Sequence, residues 1–146
     1  MRRFLTYWLP PLVWAAVILA ASSDLFSSTH TGGWIARITS FLGPSLAPAT
    51  LDLVNHILRK IGHMTAYGIL SALSFRALRG EGPGWRLRWA VGAIVMALFV
   101  ASIDEFHQSF VASRTGAWQD VVLDTAGATI MQITIRAAQV LLFKPT

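Results

Sequence analysis

Four long apolar runs constrain this chain more than any other feature of its 146 residues. They cover 5–21, 61–78, 89–103 and 121–143. A helix needs roughly 17 to 25 such residues to cross a bilayer, a length that only the run at 89–103 fails to reach.

Apolar residues make up 54% of the chain and charged residues only 13%. Soluble domains, in contrast, carry roughly 25% charged residues. This composition excludes a soluble or disordered chain, and the lack of cysteine excludes a disulfide-stapled fold. The sequence predicts an all-α, multi-pass membrane protein, a four-transmembrane-helix bundle forming a single domain over 1–146.

The first run has an alternative interpretation as a secretory signal peptide. Arg2 and Arg3 precede it and small residues follow it, as in a cleaved leader. However, Tyr7 and Trp8 are unusual in the apolar core of a signal peptide, and a Pro-Pro pair lies in the middle of the run. We therefore interpret 5–21 as the first membrane span.

The distribution of cations predicts the orientation in the membrane. Four spans place both termini on one side, together with the loop between the second and third spans. Seven cations flank these regions: Arg2, Arg3, Arg76, Arg79, Arg86, Arg88 and Lys144. The other two loops hold four: Arg37, Arg59, Lys60 and Arg114. The positive-inside rule then predicts cytoplasmic termini and accounts for the net charge of +5 without a nucleic-acid partner.

Local signals predict further elements between the spans. Apolar residues recur at helical spacing over 34–42, which indicates a short interfacial helix in the first outer loop, ending at Gly43 and Pro44. Thr50 is a candidate N-cap for a helix leading into the second span. Residues 80–84 are typical of a tight turn because three of the five are glycine and one is proline.

Three of the predicted helices carry polar faces near their outer ends. The members are Lys60, His63 and Tyr67 on the second span, Asp104, Glu105 and Gln108 at the end of the third, and Asp120 and Asp124 on the fourth. The first and last groups each fall within about 60° of helical arc, and the middle one within about 100°. A charge in hydrocarbon costs several kcal/mol, so these faces must turn inward. They predict a polar pocket open to the extracytoplasmic side; the alternative is simple interhelical pairing, such as Lys60 with Asp104.

The order and spacing of these residues closely resemble the VanZ-like family of bacterial membrane proteins. The matching motifs are Lys60-x-x-His63-x-x-x-Tyr67, Asp104-Glu105-x-x-Gln108-x-Phe110-x-x-x-Arg114 and Asp120-x-x-x-Asp124-x-x-Gly127, with Ser22-Ser23 after the first span. The resemblance covers roughly residues 14–131. It implies a small multi-pass protein of the cell envelope, and the family's namesake is associated with low-level teicoplanin resistance. One departure is Asp124, where family members usually carry asparagine.

The same residues suit chemistry on a charged amphiphile. His63 is a candidate general acid or base beside Asp104 or Glu105, and Lys60 and Arg114 could hold a phosphate or carboxylate. Tyr67 and Gln108 would supply positioned hydrogen bonds. Such a site suits a lipid-linked phosphate or pyrophosphate at the outer leaflet.

Searching the sequence for known catalytic motifs does not identify a reaction. The sequence contains no Gly-x-Ser-x-Gly, no His-Glu-x-x-His and no P-loop, and it assigns no cofactor. Structural zinc is disfavoured because cysteine is absent. A Mg²⁺ or Ca²⁺ ion held by Glu105, Asp120 and Asp124 stays open, since these ions prefer oxygen ligands.

Two other classes of function are compatible with the same pocket. A binding protein without chemistry would hold a lipid headgroup or an amphiphilic antibiotic such as a lipoglycopeptide. Transport is less favoured because four short helices leave little room for an alternating-access pathway in one chain. In every case membrane lipids are the expected surroundings, in the bacterial cytoplasmic membrane.

Overall fold

The computed structural model describes residues 1–22, 47–110 and 117–142, and within these ranges it contains five α-helices and no strand. The helices are α1 (Arg2–Tyr7), α2 (Leu9–Ala21), α3 (Pro48–Arg79), α4 (Leu87–Gln108) and α5 (Trp118–Leu142). The prediction of an all-α fold is confirmed, and the described part of each apolar run is helical apart from Trp8. The predicted interfacial helix at 34–42 lies outside the described residues.

The boundaries of α3 differ from those predicted. The helix begins at Pro48 and runs unbroken through the second apolar run, and its N-cap is Ala47. The prediction that Thr50 caps it is therefore wrong. Pro48 suits the first turn of a helix, where its missing N–H is not needed. The helix ends at Gly80, whose φ is 54°. Such a positive φ favours glycine, and the predicted turn at 80–84 is confirmed.

The first apolar run forms two helices instead of one. Proline has no N–H, so Pro10 cannot donate to the carbonyl of Thr6 as a normal helical residue would. Arg76 of α3 compensates by donating from Nη1 to this carbonyl at 3.1 Å, and its guanidinium lies 5.3 Å from the Tyr7 ring centroid. The break after α1 is thereby stabilised by α3.

Small residues allow the helices to pack closely. The buried apolar side chains of α4 are all alanine, namely Ala90, Ala93, Ala97 and Ala101. On α5, a Cβ added to Gly127 would lie 2.8 Å from the Cα of Met64, so the backbones of α3 and α5 meet as only glycine allows. Helix α3 contacts all four other helices, and α2 packs on α3 and α4.

Many large apolar residues lie on the outside, whereas Ile18, Leu70 and Phe75 are buried. Val95, Leu98, Phe99 and Ile103 cover the face of α4 opposite its alanines and are 40–65% exposed. Of the described helices, α4 alone is both long and apolar enough to cross a membrane. Helix α2 is apolar, but it has only 13 residues. The four-span bundle itself stays a prediction.

The two ends of the bundle differ in charge. At one end Arg3 pairs with Glu81 at 3.1 Å, and Arg136 of α5 lies over the Trp85 ring, so the chain start, the α3–α4 turn and α5 meet there. The described cations of this end are Arg2, Arg3, Arg76, Arg79, Arg86, Arg88 and Arg136. The carboxylates of the predicted site lie at the opposite end.

Candidate functional site

Asp104 is the centre of a buried hydrogen-bond network at the carboxylate end of the bundle. Its Oδ2 accepts hydrogen bonds from Ser22 Oγ at 2.8 Å and from Tyr67 OH at 3.2 Å. Gln108 Nε2 in turn donates to Ser22 Oγ at 3.3 Å. Asp104 is 2% exposed and Tyr67 is fully buried. The network therefore joins the end of α2 to α3 and α4.

His63 and Asp124 form a second polar pair, between α3 and α5. The Nδ1 atom of His63 lies 3.5 Å from Oδ2 of Asp124. This distance is long for a hydrogen bond, and the contact becomes an ion pair when the imidazole is protonated. The His63 ring stacks beside that of Tyr67, with centroids 6.4 Å apart. The side chain of His63 is 27% exposed, whereas that of Asp124 is only 4% exposed. His63 is therefore the member of the site that solvent or a ligand can reach.

Helical spacing explains why these side chains converge. His63 and Tyr67 are four residues apart on α3, as are Asp104 and Gln108 on α4, so each pair shares one face. Gly127 lies three residues after Asp124 and lets α5 approach the backbone of α3. Local sequence thus forms the faces, and small residues bring them together.

Two buried carboxylate oxygens have no hydrogen-bond partner among the described residues. They are Oδ1 of Asp104 and Oδ1 of Asp124, on residues that are 2% and 3% exposed. Leaving a buried acceptor unsatisfied costs roughly 1–3 kcal/mol, and more when it is charged. The site therefore holds two buried acceptor oxygens without a partner among the described residues.

Glu105 and Asp120 border this network. Glu105 accepts a hydrogen bond from the backbone N–H of Ala117, just before α5 begins. Asp120 is half-buried in the first turn of α5 and lies within electrostatic range of Glu105. Glu105 thus ties α4 to the start of α5 at the edge of the site.

Of the two cations predicted for the site, Lys60 and Arg114, the structure describes only Lys60. Lys60 is exposed and makes no ion pair among the described residues, so the alternative pairing with Asp104 does not form. Oδ2 of Asp104 bonds to Ser22 and Tyr67 instead. Arg114 lies outside the described residues. Within the described ranges, no group of three or more His, Asp or Glu side chains could hold a metal ion, which disfavours a divalent site formed by Glu105, Asp120 and Asp124.

The spacing of polar residues along the helices did not single out Ser22 or Ser71, although both make buried hydrogen bonds. Ser22 comes directly after the apolar run, where a small polar side chain is ordinary, and only the family resemblance singles it out. Deeper in the bundle, Gln132 Nε2 donates to Ser71 Oγ at 2.8 Å, joining α5 to α3. Ser71 could have been found from its spacing, because it lies four residues after Tyr67 on the face of α3 that also carries His63.

Comparison with known proteins identifies the family. A family model described as VanZ/LLP1 matches residues 7–141. No curated protein and no solved structure matches the chain significantly. The family match covers nearly the whole sequence, so the chain belongs to the VanZ/LLP1 family.

Proposed function

We propose that this member of the VanZ/LLP1 family is a multi-pass protein of the bacterial cytoplasmic membrane that binds and acts on a lipid-linked or other cell-envelope amphiphile. The proposed site consists of the buried network around Asp104 and the neighbouring His63, whose side chain is partly exposed. The observation that carries the proposal is the convergence of ionisable and hydroxyl side chains from α3, α4 and α5 at one end of an otherwise apolar bundle. Intramembrane ionisable residues mark functional sites by default, because their burial is costly.

The distribution of large and small residues supports a membrane location. Many large apolar side chains lie outside, and alanine, glycine and serine are prominent among the buried residues, which is typical of helix packing in lipid. Exposed apolar surface of this extent would be a liability in water. Helix α1 has 6 residues and α2 has 13. Together with Trp8 they cover residues 2–21, about the 20 residues that a span needs, with a break at Trp8.

The charge difference between the two ends supports the orientation. The end with the described arginine cluster suits the cytoplasmic side, and the carboxylate end then faces outward. A ligand would meet the site from the outer leaflet, where lipid-linked wall precursors are used.

The chemistry we assign to the site is proton transfer by His63. Asp124 lies next to Nδ1, and the His63 side chain makes no other hydrogen bond with described residues, so Nε2 is the nitrogen available to a ligand. A carboxylate beside one ring nitrogen sets the tautomer and orients the ring for acid–base catalysis. Asp104, Tyr67 and Ser22 are buried and bonded to one another, so they would hold the helices that position His63. The proposed link to teicoplanin rests on the family resemblance.

The alternative is a protein that binds or shields a lipid headgroup or an amphiphilic antibiotic without chemistry. The partly exposed imidazole of His63 suits contact with a headgroup as well as catalysis. The two functions differ in what a conservative change of His63 does. An enzyme would retain binding and lose turnover, whereas a binding protein would lose affinity in proportion to the lost contact.

A ligand screen with matched histidine variants tests the proposal. The purified full chain in detergent is heated with undecaprenyl phosphate, phosphatidylethanolamine or teicoplanin, and His63→Gln is compared with His56→Gln, an exposed histidine two turns earlier on α3. A ligand at a hundredfold excess over its Kd stabilises the native state by about 2.7 kcal/mol. We expect one ligand class to stabilise the native chain and the His56→Gln variant, and His63→Gln to lose either this shift or the turnover of that ligand. No shift with any ligand, combined with an unstable His63→Gln variant, would mean that the network only joins helices.

A further inference from the structure

Three exposed arginines at the arginine-rich end of the bundle lie over tryptophan rings. The guanidinium carbon of Arg86 is 5.0 Å from the centroid of the Trp89 ring, and that of Arg88 is 5.4 Å from the same centroid. The guanidinium carbon of Arg136 is 5.4 Å from the centroid of the Trp85 ring. These five residues form what we call the arginine–tryptophan cluster.

The two tryptophans bring arginines from different elements to one place. Trp85, in the α3–α4 turn, and Trp89, in the first turn of α4, pack against the same buried apolar residues, among them Phe75 of α3. Ile135 of α5 packs there too, and it is next in sequence to Arg136. The cluster therefore lies where α3, α4 and α5 meet.

The arginines of the cluster have no acceptor of their own. Among the described residues, none of the three donates a side-chain hydrogen bond or forms an ion pair, whereas Arg3 of the same end is paired with Glu81. Glu81 is the only described acidic residue at this end, and α4 has no acidic residue in its first turn. Each guanidinium carries five N–H donors, and a contact with a ring face supplies no oxygen or nitrogen acceptor for them. The cluster thus presents positive charge and free donors.

We propose that the arginine–tryptophan cluster binds the phosphate of an anionic phospholipid. The inference goes beyond the proposed function, since it uses the membrane location but not the chemistry assigned to His63. Groups of basic side chains next to a membrane span are typical binding sites for anionic headgroups. Arginine suits this ligand because it holds phosphate through paired N–H donors and stacks on aromatic rings.

Membrane orientation alone does not require this geometry. The positive-inside rule needs only positive charge near the ends of the spans. Arg2 supplies such a charge, and its side chain makes no contact with a ring or a carboxylate among the described residues. The cluster arginines are instead held over rings, so they lose less conformational freedom when they bind a ligand. The cluster is therefore preorganised beyond what orientation needs.

The surroundings of the cluster favour a lipid over a soluble anion or a second copy of the chain. Exposed apolar side chains continue along α4 from the cluster, at Leu87, Val91 and Val95. They are four residues apart and share one face, which suits acyl chains and which a soluble phosphate would not cover. A second copy in the same orientation presents its own arginines at this end, and these repel the cluster. A phospholipid matches both the charge and the apolar face.

Native mass spectrometry of the full chain in detergent tests the inference. The protein is titrated with dioleoyl phosphatidylglycerol and, separately, with dioleoyl phosphatidylcholine, which has the same acyl chains but no net charge, and the Kd of each lipid is measured. Two variants, Arg88→Gln and Arg136→Gln, each remove one charge of the cluster. Their control is Arg2→Gln, which removes an equal charge from the same end of the bundle outside the cluster.

We expect phosphatidylglycerol to bind more tightly than phosphatidylcholine. Arg88→Gln and Arg136→Gln should each raise the Kd of phosphatidylglycerol by about tenfold, the change expected from losing one hydrogen bond to a charged group. Arg2→Gln should raise it by less than about twofold, as for an exposed charge without a fixed partner. Equal effects of the three substitutions, or equal affinities for the two lipids, would overturn the inference. So would displacement of the lipid by millimolar inorganic phosphate, or a dimer that excludes the lipid.

The variant His63→Gln separates this inference from the proposed function. It should leave the binding of phosphatidylglycerol unchanged, because His63 lies at the opposite end of the bundle. Loss of this binding in His63→Gln would overturn the arginine–tryptophan cluster as the site. If the binding depends on Arg136 while His63→Gln alters neither the binding nor the turnover of any ligand in the screen, the proposed function fails and this inference stands.

Discussion

At the level of single residues, one oxygen of Asp104 receives hydrogen bonds from both Ser22 and Tyr67, while the other has no partner among the described residues. A carboxylate without either hydroxyl would be poorly solvated inside the bundle. Ser22 also accepts the hydrogen bond from Gln108, so its hydroxyl serves both neighbours. The stability of the carboxylate end of the bundle therefore depends on the single hydroxyl of Ser22.

We expect Ser22→Ala to lower the free energy of unfolding by about 1–3 kcal/mol, because it removes one hydrogen bond from a buried carboxylate and another from a buried amide. The control is Ser102→Ala, an exposed serine on α4 that bonds only to the carbonyl of Leu98. Its cost should stay within about 0.5 kcal/mol. Denaturant titration in mild detergent measures both, and equal effects of the two substitutions would contradict the network.

At the level of elements, the contact between α3 and α5 brings His63 and Asp124 together. A Cβ at Gly127 would lie 2.8 Å from the Cα of Met64, next in sequence to His63, and backbone atoms cannot move aside as a flexible side chain can. Across the same contact, a Cβ at Gly68 would meet the carbonyl oxygen of Gly127 at 3.4 Å, an ordinary distance. The two glycines of one interface therefore differ in how much they constrain it.

We predict that Gly127→Ala destabilises the protein by at least about 1–3 kcal/mol, because the helices must separate to admit the methyl group. Gly68→Ala should be neutral or stabilising by up to about 1 kcal/mol, since alanine is the better helix former. Thermal unfolding of both variants measures the difference. If Gly127→Ala were as stable as Gly68→Ala, the close approach of α3 and α5 would be wrong.

At the level of the whole molecule, arginines gather at one end and carboxylates at the other. The described arginine-rich end includes the chain start and the α3–α4 turn, which Arg3 and Glu81 connect. In a membrane such asymmetry sets orientation, since cationic loops stay in the cytoplasm. The direction from which a ligand reaches His63 depends on this orientation.

Cysteine labelling in whole cells tests the orientation, and the chain has no cysteine of its own to remove. Single cysteines are introduced by Asp52→Cys near the carboxylate end and by Pro83→Cys in the α3–α4 turn, both at exposed positions. A membrane-impermeant maleimide should label the first in intact cells and the second only after permeabilisation. The reverse pattern would invert the proposed topology, and labelling of both in intact cells would contradict an antiparallel membrane bundle.

The helices can be predicted from the sequence more reliably than their ends. Apolar runs and the glycine turn at 80–84 depend on local propensity, and both predictions are confirmed. The predicted start of α3 is wrong because Thr50 is a good cap in isolation, yet the helix already begins at Pro48. The prolines of the first run signal the break at Trp8. The sequence does not show that Arg76 binds the freed carbonyl of Thr6, because the two residues are 70 positions apart.

By itself, the sequence determined the all-α class, the separation of charge and the polar faces of α3, α4 and α5, because helical periodicity and composition are local properties. Only the tertiary structure decided which polar atoms meet. Asp104 bonds to Ser22 and Tyr67 while Lys60 stays exposed, since the alanine face of α4 and the contact at Gly127 fix how the helices rotate and how closely they pack. Partners that come from different helices depend on packing, which no single helix encodes.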